Sequence, residues 1–317
     1  MSGRRNLMIA KAVEGFQVTD TVFDVEPDSD NLTFEFCLSG HSVVDFGDGT
    51  TYTQTVPLKT SRDMDVATYG VQHTYAAPGT YTVIISPLDN TGFWCTMDAS
   101  TDAYKLTAVL RQIGTMQKRV DHMFYNAHKL REFAKGVHIP DGITAIKYFI
   151  GGSNQQHGQI PLFTKFNDDF TIPDSVTSLY SGFGNMGPSK LVELPDSFKL
   201  PSKLVDGFYC FYNCASLKKI PADFKIPKTC KNLLRFFGFC YSLEFDISNL
   251  FPEEWADGGY TCDLSNFAWN VSGLTGTLPQ FIYDGRNNFT HNTASFGACT
   301  KLTNYNDIPA SWGGGGA

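Results

Sequence analysis

Hydrophobic and polar positions along the chain fall into two regimes. Between residues 16 and 86 they tend to alternate. Residues 32–38, LTFEFCL, put Leu32, Phe34, Phe36 and Leu38 on one face of a half-buried strand. Residues 16–25 alternate in part, 42–46 follow, and 64–75 and 80–86 predict two more strands. Asp28-Ser29-Asp30-Asn31, Gly47-Asp48-Gly49 and Pro78-Gly79 supply the turns between them. Short strands punctuated in this way predict a small β-sandwich.

Farther along, the period lengthens and the pattern becomes F-x-x-C-x-x-L followed by an apolar-Pro pair. FYNCASL starts at Phe211, FGFCYSL at Phe237 and FGACTKL at Phe296. The copy at Phe124 has Ala127 in the Cys place, and the copy at Phe183 has Met186 there with two extra residues before Leu191. FAWNVSGL, starting at Phe267, reads as a degenerate copy. Leu191, Leu217 and Leu243 are 26 residues apart, and Ile172-Pro173, Leu200-Pro201, Ile226-Pro227 and Phe251-Pro252 keep similar time. Such a period belongs to repeat architectures, in which one unit is too small to bury its own apolar face and stacking completes the core. The three-and-three spacing suits one helical or 3₁₀ turn facing inward. The prolines end that turn and force extended chain. Each repeat is therefore expected to be a short helical piece, a bend, an extended segment and a short strand such as residues 232–235.

FYNCASLKKIP resembles the bacterial-surface, or BspA-like, type of leucine-rich repeat. The resemblance spans about residues 106–312. It is close at 211–227 and weak at 151–170, where His157 sits in the Leu position. It implies a curved right-handed array used as a binding surface, with no particular ligand. Nearer the start, DFGDGTTYT at 45–53 and HTYAAPGTYTV at 73–83 resemble the ordered motifs of PKD domains, which are immunoglobulin-like modules; Val44 stands where that family carries Trp. That resemblance implies a spacer or adhesion unit over residues 15–90 and no chemistry. The expected fold class is β-rich and two-domain: an arm or edge strand over 1–15, a PKD-like β-sandwich over 16–100, a leucine-rich-repeat solenoid over 101–312 and a flexible Gly-rich tail over 313–317. Phe93, Trp94 and Cys95 are expected to plug the joint, residues 103–113 to cap the array, and Trp312 to close its far end.

Charge sharpens this division. The chain of 317 residues carries a formal net charge of −7. Residues 1–100 hold 13 acids and 5 Lys/Arg, whereas the remainder holds 19 and 20. That asymmetry supports a boundary near residue 100 and argues against a general nucleic-acid binder. No apolar run approaches the roughly 18 residues of a membrane span, so no membrane insertion is expected. The apolar run within MSGRRNLMIAKAVEGF is too short for a secretory signal. Of eight cysteines, Cys214, Cys240 and Cys299 share a position with Ala127 and Met186, which reads as a small buried hydrophobe rather than half of a disulfide. Cys37, Cys95, Cys210, Cys230 and Cys262 are less constrained.

Candidate chemistry is sparse. No H-E-x-x-H, G-x-S-x-G, P-loop or paired C-x-x-C motif occurs, so no catalytic residue, cofactor or metal is assigned. Asp45 and Asp48 flank Gly47; a calcium role is weighed against turn carboxylates accepting backbone N–H groups, and the turn reading is preferred. His73 reads as a packed residue rather than a metal ligand. Two surfaces stand out. Residues 111–138 are the most basic stretch, and Arg111, Lys118, Arg119, Lys129 and Arg131 suit an acidic neighbour, such as the first hundred residues of another copy, or an anionic glycan. The plainer reading is a solvated first repeat. Tyr209, Tyr212, Tyr241 and Trp269 lie near outward repeat positions, where rings can stack on sugars, although aromatics at repeat spacing more often belong to a core.

The expectation for the whole chain is a non-enzymatic structural or adhesive protein of a bacteriophage particle, a head decoration, fibre or tail component. It docks through its N-terminal region and presents the array to host-surface glycans or neighbouring virion proteins, as a homo-oligomer or in many copies. It is assembled in the host cytoplasm and resides on the virion. A bacterial cell-surface adhesin is the alternative, and a polysaccharide-degrading enzyme the more distant one.

Overall fold

The computed structural model describes residues 16–59, 64–97, 107–125, 127, 129–151, 162–187 and 189–316. The expected arm at 1–15, His128 and His157 lie outside these residues, as does much of the junction around residue 100. Among these residues the protein is β-rich, with several sheets and no barrel.

Seven strands build the first part: β1 (Thr21–Glu26), β2 (Thr33–Ser39), β3 (Ser42–Asp45), β4 (Thr51–Gln54), β5 (Gly70–Thr74), β6 (Tyr81–Pro87) and β7 (Trp94–Thr96). One antiparallel sheet has the order β5-β2-β7. β1, β6, β3 and β4 are adjacent, also antiparallel, in the other. Phe23 meets Phe34 and Phe36 edge-on at 5.6 and 6.2 Å, so aromatic packing joins the two sheets.

Two expectations need correction here. Residues 64–75 do not form one strand: a single-turn helix, α1 (Val66–Tyr69), precedes β5. Its cause is local, because Asp65 accepts the Thr68 N–H at 2.8 Å as an N-cap does. β2 is also not half-buried. Cys37 packs with Met64 and Trp94 beneath partly buried Leu58 and Tyr69, so the segment carrying α1 covers the outer face.

The first part does not stop at residue 100. β8 (Thr107–Gln112) lies antiparallel beside β1, and β10 (Leu130–Phe133) lies parallel beside β8, which makes a six-stranded sheet of order β10-β8-β1-β6-β3-β4. A parallel bridge between Glu132 and Lys165 then extends the pairing by another copy. Phe93, Trp94 and Cys95 do sit at this junction. The Phe93 N–H donates to Met116 O at 3.0 Å, Trp94 Nε1 donates to Asp121 O at 3.2 Å, and Cys95 is buried against Gln117. A single buried cluster runs from Phe23 to Trp312.

Beyond β8 the chain forms a stack in which each copy lies parallel to the next. β9 (Phe124–Tyr125) pairs with β11 (Ile150–Gly151), β12 (Glu244–Asp246) with β14 (Gly273–Thr275), and β13 (Thr261–Asp263) with β15 (Asn288–His291). Single parallel bridges link Ala145, Ser178, Asp206, Asn232 and Asp263 in succession. A column of N–H···O=C bonds fixes the register: Phe124 to Phe149, Ile150 to Gly182, Phe183 to Cys210, Phe211 to Phe236, Phe237 to Phe267, and Ala268 to Ser295. The inward Phe place is therefore held in turn by Phe124, Ile150, Phe183, Phe211, Phe237, Ala268 and Phe296.

That register revises the degenerate copy. Its frame begins at Ala268, not Phe267, and reads Ala268-x-x-Val271-x-x-Leu274 with intact spacing and all three side chains buried. Phe267 lies one position earlier and stacks on Phe236 at 5.9 Å and 14°. The weak segment after residue 149 likewise enters the stack through Ile150.

The inward turn is not a continuous 3₁₀ helix. Cys210, Tyr212, Cys214 and Leu217 each donate to the residue three back, but Tyr209 and Asn213 within the run have positive φ. The result is a chain of tight turns, with a left-handed residue third in those closed by Cys210 and Cys214. Arg235 is also left-handed, so residues 232–235 contribute a bridge at Asn232 rather than a strand.

Phe and Cys form the expected ladders. Phe211 stacks between Phe183 at 5.6 Å and Phe237 at 5.7 Å, with interplanar angles of 17° and 16°. All eight cysteines are buried, and none is joined in a disulfide. Cys214, Cys240 and Cys299 direct Sγ at a carbonyl of the preceding copy, Phe183, Phe211 and Ala268, at 3.1, 3.0 and 3.3 Å. Trp312 closes the far end, lying parallel to Phe296 at 6.4 Å. The glycine tail is held rather than loose: the N–H groups of Gly314, Gly315 and Gly316 donate to Pro309, Tyr305 and Ile308. Close backbone contacts of this kind leave no room for a Cβ at Gly314, where Ile308 O would be 2.1 Å away.

Candidate ligand-binding face

The basic stretch is largely engaged within the chain. Asp24, Glu26 and Asp28 recur at every second residue along β1 and the turn after it. Arg111 on β8 grips the buried carboxylate of Asp24 through Nε at 2.6 Å, Arg131 on β10 pairs with Glu26, and Lys129 reaches Asp28 at 3.1 Å. The acidic neighbour expected for these cations is thus the first strand of the same chain, brought alongside by the shared sheet. Arg119 pairs with Asp121 at 2.7 Å and lies over the Trp94 ring at 4.1 Å. Lys118 is exposed, and its stem crosses Gly92, where a Cβ would come within 2.5 Å of Lys118 Cε.

The turn carboxylates act as local acceptors. Asp45 takes the Gly47 N–H at 2.8 Å, and Asp48 takes the Thr50 N–H and hydroxyl. His73 stacks on Phe46 at 4.2 Å and meets Asp48 through Nε2 at 2.8 Å.

The aromatic candidates fall on one face, and they are not alone there. Ring contacts run without a break from His122 to Tyr148 (4.8 Å), Tyr180 (5.5 Å), Phe208 (4.5 Å), Tyr209 (4.1 Å), Tyr212 (4.6 Å), Phe239 (5.5 Å) and Trp269 (4.8 Å). Tyr125 flanks the start, and Tyr241 flanks the end at 5.7 Å from Phe239. Tyr241 is 54% exposed, and the rings between Tyr148 and Trp269 are half-buried. The stripe crosses six successive copies. At the usual interstrand spacing of about 4.8 Å, its five steps span roughly 24 Å.

Backbone conformation explains why large rings can occupy this surface. Among the described residues, the non-glycine positions with positive φ fall in two columns. His122, Tyr148, Ser181, Tyr209, Arg235, Asn266 and Ala294 lie two before the Phe place; Asn185, Asn213, Phe239, Asn270 and Ala298 lie two after it. Left-handed geometry costs an L-residue about 1–2 kcal/mol, so its recurrence on both flanks marks a shape the stack imposes.

A second device is small residues beside large ones. The position after the Phe place is in turn Tyr125, Gly151, Gly184, Tyr212, Gly238, Trp269 and Gly297. A Cβ on Gly297 would meet Trp269 Cδ1 at 2.9 Å, and one on Gly238 would meet Tyr212 Cδ2 at 3.5 Å. Trp269 and Tyr212 thus each lie across the glycine of the next copy.

Polar groups punctuate the stripe. Arg235 Nη1 donates to the Tyr209 hydroxyl at 2.9 Å, and the guanidinium lies 5.5 and 5.6 Å from the Tyr209 and Tyr212 ring centres. Burial raises the Tyr212 phenol above its ordinary pKa against the opposing pull of Arg235, so the ring keeps its proton. Near His122, a shallow cavity of about 240 Å³ is lined by Arg119, Asp121, His122, Lys147, Tyr148 and Tyr180.

The repeat pattern singled out Tyr209, Tyr212, Tyr241 and Trp269. It missed Tyr148, Tyr180, Phe208, Phe239 and Arg235. One signal was present: Asn recurs two residues after the Phe place at Asn126, Asn185, Asn213 and Asn270, and Asn is the side chain most at home in the left-handed region after glycine. No family model matches this chain, and no curated protein or solved structure matches it.

Proposed function

We propose that this chain is a non-enzymatic adhesive protein whose aromatic stripe binds an extended glycan. The observation that carries this reading is the unbroken run of ring contacts across six successive copies, in which the rings from Tyr148 to Trp269 are half-buried. Such rings offer flat apolar faces for the C–H faces of sugars, while the phenol hydroxyls supply polar edges. They are held by a packed core, so little order has to be gained on binding.

Within the same proposal, the stack is a leucine-rich-repeat solenoid of the BspA-like kind. The 26-residue leucine spacing and the parallel bridges between copies support it. The two sheets of β1–β7 are a PKD-like, immunoglobulin-like sandwich that serves as its mount. The setting is the surface of a bacteriophage particle, with the N-terminal region docked on other virion proteins and the stripe facing the host. Many copies would then add weak contacts into strong adhesion.

A glycan array probed with the multimerised full chain tests the recognition. Binding to a subset of glycans is expected, weakened at least tenfold by Trp269→Ala or Tyr212→Ala. Silence at high valency would sink the reading. Mass spectrometry of purified particles tests the setting: stoichiometric copy number is expected, and absence from them would overturn the placement.

A further inference from the structure

Arginines are informative because a guanidinium so rarely goes without an anion. Among the described residues, Arg111, Arg119, Arg131 and Arg286 each hold a carboxylate, from Asp24, Asp121, Glu26 and Asp284. Arg235 holds none. Its guanidinium donates to the Tyr209 phenol and lies against the Tyr212 ring, both without charge to offset its own, and its Nε is buried without a partner. In its own column it lies between Tyr209 and Asn266, both uncharged.

Its position is central. Tyr209 and Tyr212 flank the guanidinium, with Tyr180 and Phe208 on one side and Phe239 and Trp269 on the other. The side chain is half-buried and stays at the surface. Holding a left-handed backbone costs Arg235 free energy, as it does the other residues of that column. A planar, permanently charged fork matches a carboxylate through two parallel hydrogen bonds, and stacking on aromatic rings keeps it oriented for that.

We propose that the stripe is built for an acidic polysaccharide, and that Arg235 receives the carboxylate of a uronic-acid unit while neighbouring rings stack on the units either side. This inference rests on the glycan reading above and narrows it. Contact geometry favours it over a nucleic acid. Nucleic-acid binding calls for a continuous basic groove that tracks the phosphates. Here one guanidinium without a carboxylate partner stands amid a run of rings, which suits a single carboxylate held between stacked sugars, with the other carboxylates of the polymer left in solvent.

The test uses the full chain with polygalacturonate, a neutral galactan of similar length, dextran sulfate and a single-stranded oligonucleotide, read by isothermal titration calorimetry. Polygalacturonate is expected to bind at least tenfold tighter than galactan, with affinity falling as salt rises. Arg235→Asn is the informative variant, since Asn266 already occupies the same column with positive φ and the fold is expected to be retained. It should lose at least tenfold on polygalacturonate and much less on galactan, so that the preference between the two polymers collapses. Arg235→Lys should recover the charge but only part of the affinity, because the ammonium lacks the fork. Equal affinity for galactan and polygalacturonate, with no effect of Arg235→Asn, would overturn the carboxylate assignment while leaving glycan recognition standing. Preference for dextran sulfate or the oligonucleotide would overturn it in favour of those anions. No binding to any polymer would remove the glycan reading itself.

Discussion

At the scale of single residues, the stack works by giving each side chain one of two jobs. Phe211 is fully buried and touches rings from both neighbouring copies. Phe211→Ala should therefore destabilise the protein by about 3–5 kcal/mol, the usual range for removing a buried ring. Urea denaturation would show it as a lowered midpoint at unchanged slope. The thiols make a second case. Burial pushes Cys95 and Cys299 up to about 12, and drives Cys210, Cys230 and Cys240 well above the ordinary thiol range. Enclosed in the core, the eight cysteines should resist a disulfide-exchange reagent at pH 8 in the native protein and react together in guanidinium. Rapid labelling of a native thiol would contradict this. The interchange of Cys with Ala and Met at one repeat position already pointed to that burial. The frame of the Ala268 copy was not legible, because Phe267 offers the more conspicuous ring and only hydrogen-bond register separates two adjacent apolar residues.

Among elements, β1 is the hinge of the electrostatics. Its Asp24 is buried and accepts from both Arg111 and the Thr82 hydroxyl, the latter at 2.8 Å, whereas Arg111 is nearly half exposed. Loss of the acceptor strands two donors, so Asp24→Ala should cost about 1–3 kcal/mol. Arg111→Ala should cost less, because water replaces much of what an exposed guanidinium loses. A double-mutant cycle read by thermal denaturation would separate the terms. The loop after β6 adds a pH response. Hydrogen bonds from the Thr91 side chain and N–H, with His41 beside them, lower Asp89 from 3.8 to about 2. A depressed folded pKa contributes stability above the unfolded value and loses it as protons bind. The contribution should be present above pH 4 and vanish between about 4 and 2. Asp89→Asn should flatten that part of the stability profile, and an unchanged profile would refute the assignment. β2 and β6 were legible from alternation and turn residues. α1 was not, because its four residues fit inside an apolar run and only the Asp65 cap distinguishes them. The pairing of β8 with β1 was invisible too, since no local pattern says which edge a strand will choose.

For the whole molecule, the shared sheet and the continuous buried cluster tie the first part to the stack. Calorimetry should accordingly show one dominant unfolding transition, with Trp94→Ala lowering it as a whole. Two well-separated transitions, only one of them sensitive to Trp94→Ala, would show that the parts unfold independently. The repeat period was readable because core positions accept few residue types. The stripe was only half readable, because its rings come from several columns and become neighbours solely through stacking. Arg235 carried no sequence signature at all: its lack of a carboxylate is a property of its surroundings.

The alternation of ring and glycine has a consequence for how such a protein could change over generations. Duplicating or deleting one copy lengthens or shortens the stripe by a single step of about 4.8 Å and leaves every other step in place. Exchanging the ring of one copy, Tyr212 or Trp269, for another side chain rewrites one letter of the face and leaves the ladder of Phe behind it in place. The molecule is therefore built like a ruler whose markings can be re-spaced by recombination, copy by copy.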